Sequence, residues 1–121
     1  MISLPLDMRV YLFTTPTDMR KGFDTLALLA LEHTKLSPMA GGLFVFLSRE
    51  RNKVKVLAWD KDGYVLYYKR LEAGAFRVEE KAGYEEITGI DLSMLLQGMD
   101  LKRIKLRKSA QNGVFKEAID C

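Results

Sequence analysis

The sequence predicts an α+β fold: a small antiparallel sheet of four to five strands, one long helix packed across it and a short C-terminal helix. Between Gly42 and Phe76 the chain holds three segments rich in aromatic and β-branched residues, separated by short polar loops, as in consecutive antiparallel strands. Before them, apolar residues recur at the spacing of an amphipathic helix. A chain of 121 residues with 48% apolar content can bury one ordinary core. We therefore expect a single domain over residues 1–108 and a frayed tail over residues 109–121.

The N-terminal part of the chain predicts a strand followed by the long helix. Met8 to Thr14 is β-branched and aromatic with partial alternation, as expected of a strand. Thr17 as N-cap and a first-turn carboxylate predict a helix over about Asp18 to Lys35, because both groups complement the exposed N–H groups of a helix start. Further leucines widen the apolar stripe, so the helix is either covered on two sides or used in an interface: Leu28, Leu29 and Leu31.

The remaining elements follow in order. Leu43 to Leu47 is an unbroken apolar run, which predicts a central strand buried on both faces. Lys53 to Val56 alternates, so one face is expected to pack on the helix while its lysines face water or a ligand. Asp62-Gly63 predicts a hairpin turn in which the glycine takes the positive φ. Asp91 to Gln97 predicts a short helix that Gly98 terminates.

The net charge of +3 is modest, but its distribution is uneven. Residues 49–70 carry seven basic and three acidic side chains, residues 71–100 carry two basic and seven acidic ones, and residues 101–108 carry five basic ones alone. Two basic segments therefore flank an acidic one. This arrangement is either ordinary solvated surface or a phosphate-facing surface whose acidic neighbour orients a partner protein.

The basic residues predict a nucleic-acid-binding surface on the first hairpin and the C-terminal segment. Basic groups there can neutralise phosphates, and Trp59, Tyr64, Tyr67 or Tyr68 can stack on bases. In the alternative interpretation, the aromatic residues belong to the core and the lysines form the solvent-exposed edge of the sheet. The candidate residues are Arg49, Arg51, Lys53, Lys55, Lys69, Arg70, Lys102, Arg103 and Lys105.

A second candidate anion site lies at Arg20 and Lys21, near the predicted helix start, where Asp18 competes with any bound anion. Asp60 and Asp62 are either carboxylates for metal-assisted phosphoryl transfer or ordinary turn residues, and the turn accounts for them readily.

No catalytic set, metal site or cofactor fingerprint is predicted. His33 is the only histidine and Cys121 the only cysteine, so one chain cannot supply a His/Cys zinc site or a disulfide. We expect no enzyme activity, no metal and no cofactor.

Five blocks of this sequence, in chain order, are Thr17–Asp24, Leu43–Phe46, Lys55–Gly63, Tyr68–Phe76 and Leu92–Asp100. Together they resemble the Orf2-like accessory proteins, called TnpB, of the insertion sequence 66 family of bacterial transposable elements. The resemblance implies a small protein that is encoded beside a separate, larger transposase and is needed for efficient transposition. The chain departs from the family pattern where Glu50 interrupts a basic run and where Ala58 replaces an aromatic residue.

Two functional hypotheses follow for such an accessory factor. A DNA-binding module would hold the ends of the element through the basic hairpin and residues 102–108. An assembly adaptor would instead dock on the transposase through the leucine-rich helix and the segment Leu92 to Leu101. No export signal or membrane span is evident, so we expect a cytoplasmic protein, either free or associated with the nucleoid. A monomer and a homo-oligomer are both compatible with the sequence.

Overall fold

The computed structural model describes residues 7–107, and the predicted tail over residues 109–121 lies outside them. Its centre is a five-stranded sheet with the strand order β4-β3-β2-β1-β5. The β1 and β2 strands are parallel and every other neighbouring pair is antiparallel. The predicted α+β fold with a small sheet is therefore confirmed, and the sheet is mostly antiparallel, with one parallel pair that the sequence analysis did not predict. The strands are β1 (Arg9–Phe13), β2 (Leu43–Leu47), β3 (Lys53–Asp60), β4 (Gly63–Arg70) and β5 (Tyr84–Thr88).

The one parallel pair follows from the long helix between β1 and β2. This helix, α1, covers Phe23–Thr34, and a crossover of at least a dozen residues is what two parallel neighbours require. A short 3₁₀ turn at Pro38–Ala40 then leads into β2. The tight hairpins later in the chain produce antiparallel neighbours instead.

Both faces of the sheet are covered, and β2 is the central strand as predicted. Every residue of β2 is buried. On one side, here called the α1 face, Phe44 and Phe46 pack with Leu26 and Ala30 of α1. The opposite face is covered by α2 (Gly89–Leu96), by a third helix, α3, at residues 101–107 and by the buried residues of the segment 76–78.

The α1 helix lies within the predicted range but begins later, at Phe23, with Gly22 as its N-cap. The Asp18 carboxylate accepts hydrogen bonds from the backbone N–H and the side chain of Arg20, at 2.9 and 2.6 Å. The backbone N–H of Thr17 is bonded to the Leu47 carbonyl. Because these groups are satisfied locally or by β2, residues 18–22 form a turn instead of the first helical turn.

The β3–β4 hairpin is present, but its positive φ lies at Lys61, with φ 52°, and not at Gly63. In this position Lys61 adopts a backbone conformation that glycine normally supplies.

The helix α2 begins earlier than predicted because Thr88 and Asp91 form a capping box. Its leucines point into the core of the opposite face, so the segment proposed for docking, Leu92 to Leu101, is largely internal. Asp100 then caps α3 by accepting the backbone N–H of Lys102 at 2.9 Å. Within residues 7–107, no helix is both long enough and apolar enough to cross a bilayer.

The burial of Leu92 generates a stability prediction. Leu92→Ala should lower the free energy of unfolding by about 3 kcal/mol, since it leaves a cavity beneath α2. Leu106→Ala removes the same atoms from an exposed position on α3 and should change it by less than about 0.5 kcal/mol. Urea unfolding measures both, and equal losses would contradict this assignment of the core.

Candidate nucleic-acid and protein interfaces

Lys55 is buried, with 6% of its surface exposed, although it was predicted to face water or a ligand. Its ammonium group donates to the Met19 carbonyl at 2.7 Å and to the Lys21 carbonyl at 2.8 Å. It also lies 4.6 Å from the ring centroid of Tyr68, a cation–π distance. The prediction was wrong because the lysine face of β3 is the face on which α1 packs.

The other cations of the hairpin do not share one surface. Lys53 and Arg70 are directly opposite each other on the α1 face, whereas Lys69 lies opposite Val54 on the other face. The Arg70 guanidinium is already paired with Glu72 at 3.0 Å. Arg49 is exposed in the turn that precedes β3. The hairpin thus divides its positive charge between two sides of the sheet.

The four aromatic candidates have different environments. Trp59 and Tyr64 form an edge-to-face pair with ring centroids 5.0 Å apart, and Tyr64 also packs against the α1-face core. Tyr67 packs against the core of the opposite face. Tyr68 is the exposed member, with 51% of its surface accessible, and it covers Lys55.

Some residues of the two basic segments lie close together, because they line one cleft of 640 Å³ on the opposite face. Arg51 reaches it from the loop before β3 and Lys102 from the start of α3. Main-chain hydrogen bonds assemble it: the Arg51 carbonyl accepts from Phe76 at 2.7 Å, and the Arg77 carbonyl accepts from Leu101 at 3.0 Å. Arg77 therefore joins the cleft.

Sequence reasoning did not select Arg77. It lies between Phe76 and Val78, which are both buried, while its own side chain is exposed. This alternation of apolar and charged residues was a usable signal for an extended segment with one outward cation.

Carboxylates also line this cleft and neutralise part of its positive charge. Glu85, mostly buried on β5, pairs with Lys81 at 3.7 Å and with the ammonium group of Lys105. These contacts tie α3 to the sheet, so Lys105 is held in an ion pair. The remaining acidic residues of the cleft are Glu79, Glu80 and Asp100.

At the second candidate anion site, the side chain of Arg20 and the main-chain carbonyl of Lys21 already make contacts within the protein. The Arg20 side chain bonds to Asp18, which holds the pKa of that carboxyl well below its usual range and raises the pKa of Arg20. Both groups are exposed, so this pair is screened by solvent. The Lys21 carbonyl accepts from Lys55, as described above. Arg103, the remaining candidate, is exposed on α3.

The side chains considered for chemistry sit in ordinary structural roles. Asp60 and Asp62 flank Lys61 in the hairpin turn. His33 hydrogen-bonds through Nδ1 to the Leu29 carbonyl at 2.9 Å and contacts the ring of Phe13. Within residues 7–107, no three His, Cys, Asp or Glu side chains group together as potential metal ligands.

An apolar surface lies on the outer side of α1 and its following segment. It consists of Leu28, Leu31, Leu36 and Met39, and we call it the α1 surface. Leu28 has 55% of its area exposed and Leu31 has 43%. Around a helix with 3.6 residues per turn, Leu28 lies about 160° from the buried stripe of Leu26 and Ala30. Of the three leucines that widen the stripe in the sequence, Leu29 packs against the α1-face core, whereas Leu28 and Leu31 are left uncovered by the described part of the chain.

The position of Lys55 generates a second stability prediction. Lys55→Met keeps much of the apolar stem but leaves two carbonyls without their donor, and should lower the free energy of unfolding by about 2 to 4 kcal/mol. Lys53→Met, two residues away on the same face, is the matched control and should cost less than about 0.5 kcal/mol. The measurement is urea unfolding, and coincident midpoints for the two variants would refute the anchoring role.

Comparisons with known proteins identify the family. Residues 8–106 match the family model described as IS66 Orf2 like protein. The uncharacterized protein y4hO of Sinorhizobium fredii (strain NBRC 101917 / NGR234) is 42% identical over 95 residues, which cover 78% of this chain and 83% of the relative. A second relative from that strain, the uncharacterized protein y4jC, is 30% identical over 106 residues, covering 87% and 91%. No solved structure matches the chain significantly. The protein belongs to the IS66 Orf2-like family, a generally non-catalytic accessory family of insertion sequences.

Proposed function

We propose that this protein assists transposition of its insertion sequence as a non-catalytic adaptor that binds the separate transposase through the α1 surface. The observation that carries the proposal is the outward exposure of Leu28 and Leu31 on a helix whose other face is already packed on the sheet. Family membership supplies the setting, that of an accessory protein of an insertion sequence, and in this proposal its partner is the transposase encoded by the same element.

The energetic argument rests on what the α1 surface can still bury. Fully burying a leucine side chain is worth about 1.5 to 3 kcal/mol, so two half-exposed leucines can contribute substantially to a protein interface. An apolar centre surrounded by a polar rim is the usual arrangement of a protein interface. Asp24, Thr25 and Glu32 of α1 are exposed and supply such a rim.

The burial of the other leucines supports α1 as the docking element. The second segment that the sequence nominated for docking, Leu92 to Leu101, contributes four buried leucines to the core. Among the cations nominated for DNA binding, Lys55 is buried, while Arg70 and Lys105 are held in ion pairs. An adaptor role therefore requires fewer existing contacts to be broken than a DNA-binding role on the hairpin.

The adaptor proposal predicts the effect of a double substitution. Leu28→Glu with Leu31→Glu should weaken binding to the cognate transposase at least tenfold, because charged side chains replace apolar anchors. Glutamate keeps good helix propensity, so α1 should stay folded. The measurement is the dissociation constant for purified transposase, with circular dichroism as the folding check.

The control for this experiment is Leu106→Glu, which makes one substitution of the same type at an exposed leucine of α3. It should leave transposase binding unchanged. Equal binding by wild type and the double variant, or equal loss in the control, would rule out the α1 surface as the docking site.

A second candidate function, DNA binding, is favoured by one observation. Arg51, Arg77 and Lys102 line a common cleft, and within residues 7–107 none of the three has a salt bridge. Against it, the cleft holds five basic and four acidic side chains, which leaves a small net positive charge. Phosphate binding there would depend on these three cations alone.

A salt series with DNA from the element ends tests this second candidate. If the three cations contact phosphates, the triple variant Arg51→Ala, Arg77→Ala and Lys102→Ala should reduce the slope of log affinity against log salt by about 2 to 3. Arg9→Ala, at an exposed cation on the α1 face and so across the sheet from the cleft, is the control and should leave that slope unchanged. Salt-independent affinity for the wild type, or no binding, would exclude DNA contact through this cleft.

A further inference from the structure

The two edges of the sheet differ in how they are protected. The edge strand β5 is five residues long and carries Glu85 and Glu86. The other edge strand, β4, is eight residues long, and its first six residues contain neither charge nor proline. Charged side chains, proline and short length are the usual means by which proteins block an edge. Only β5 has this protection over its whole length.

The outer side of β4 offers unpaired main-chain groups. Alternate residues of an antiparallel edge strand direct their N–H and C=O groups away from the one neighbour they have. Within residues 7–107, main-chain hydrogen bonds reach β4 only from β3. Val65 and Tyr68 are also exposed here, with 40% and 51% of their areas accessible. A strand of this kind is a template for a further strand.

We propose that the occupant is β4 of a second copy of this chain, paired antiparallel about a two-fold axis, which joins two sheets into one continuous sheet. The argument for a second copy is charge complementarity. One end of the hairpin carries Asp60 and Asp62 with Lys61 between them, so it is acidic on balance, and the other end carries Lys69 and Arg70 with Glu72, so it is basic on balance. Antiparallel pairing of two identical strands brings the acidic end of each against the basic end of the other.

The faces of the sheet restrict the register of this pairing. Tyr64, Leu66 and Tyr68 lie on the α1 face, since they are opposite Trp59, Leu57 and Lys55 of β3. A two-fold axis perpendicular to the sheet preserves the faces only if residues of the same face are paired. An axis through Leu66 meets this condition and pairs Tyr64 with Tyr68 of the second copy.

Asp62 belongs to the turn directly before β4, and the same axis places this turn beside the end of β4 that carries Arg70 in the second copy. Arg70 currently pairs with Glu72, but both groups are largely exposed, so that contact is weak and exchangeable. Two-fold symmetry repeats the Asp62–Arg70 pair at both ends of the interface. The interface leaves Leu28 exposed, because that side chain points away from the sheet.

A charge exchange tests both the dimer and its register. Sedimentation of the full chain over about 1 to 300 µM should show a monomer–dimer equilibrium. Arg70→Asp should weaken the dimer about tenfold, because it sets like charges opposite each other twice. Asp62→Arg should do the same, and the double variant Asp62→Arg with Arg70→Asp should restore wild-type association.

Two further variants separate β4 from other surfaces. Val65→Lys should abolish the dimer, because it puts a charge in the middle of the open edge. Ile90→Lys adds the same charge at an exposed residue of α2 and should leave the dimer intact. Circular dichroism confirms that each variant is folded.

Several outcomes would overturn the proposal. These are a wild type that stays monomeric throughout the series, association that Val65→Lys does not affect, and a double variant that fails to regain it. Protection of the outward amides of β4 from hydrogen exchange in a monomer would also overturn it, since another part of the chain would then cover the edge. The transposase assay with Leu28→Glu and Leu31→Glu is independent, so each proposal can fail alone.

Discussion

The burial of β2 on both faces is the constraint on which the rest of this structure depends. A strand of five apolar residues, Leu43–Leu47, removes all of its side chains from water, and hydrophobic burial is the main favourable contribution to folding. Because side chains alternate along a strand, this requires a covering layer on each side of the sheet. The α1 helix supplies one layer, and α2 with α3 supplies the other. The leucines of α2 therefore lie in the core and are not available at the surface.

The same constraint explains why Lys55 became internal. Its neighbours Val54 and Val56 pack on the opposite face, so Lys55 must project under α1, where it supplies donors to the carbonyls of Met19 and Lys21. A buried ammonium is tolerated only when it is well hydrogen-bonded. The alternation of β3 was readable from the sequence, and so was the burial of β2. Which face of β3 would meet the helix was not readable, because it depends on how α1 crosses the sheet.

In the candidate site, as in the fold, the sequence predicted local features but not the contacts between residues that are distant along the chain. The basic and acidic segments are visible in the chain, and the family resemblance was confirmed. The partners of individual charges were not predictable, because they come from residues distant in sequence. The pairing of Lys105 with Glu85 and the meeting of Arg51 with Arg77 both require the main-chain bonds that bring three segments together. The sequence therefore indicated more basic side chains available for a ligand than the described part of the folded chain offers.

Two surfaces are not covered by the described part of the chain, the outer side of α1 and the edge of β4. Their relative geometry links the two proposals. A two-fold axis perpendicular to the sheet keeps both copies of α1 on the same side of the joined sheet. The proposed dimer would then present two α1 surfaces in one direction. A transposase bound by one copy would raise the effective concentration of a second transposase at the neighbouring copy. An adaptor with no chemistry of its own can favour assembly in this way, because it supplies proximity and orientation.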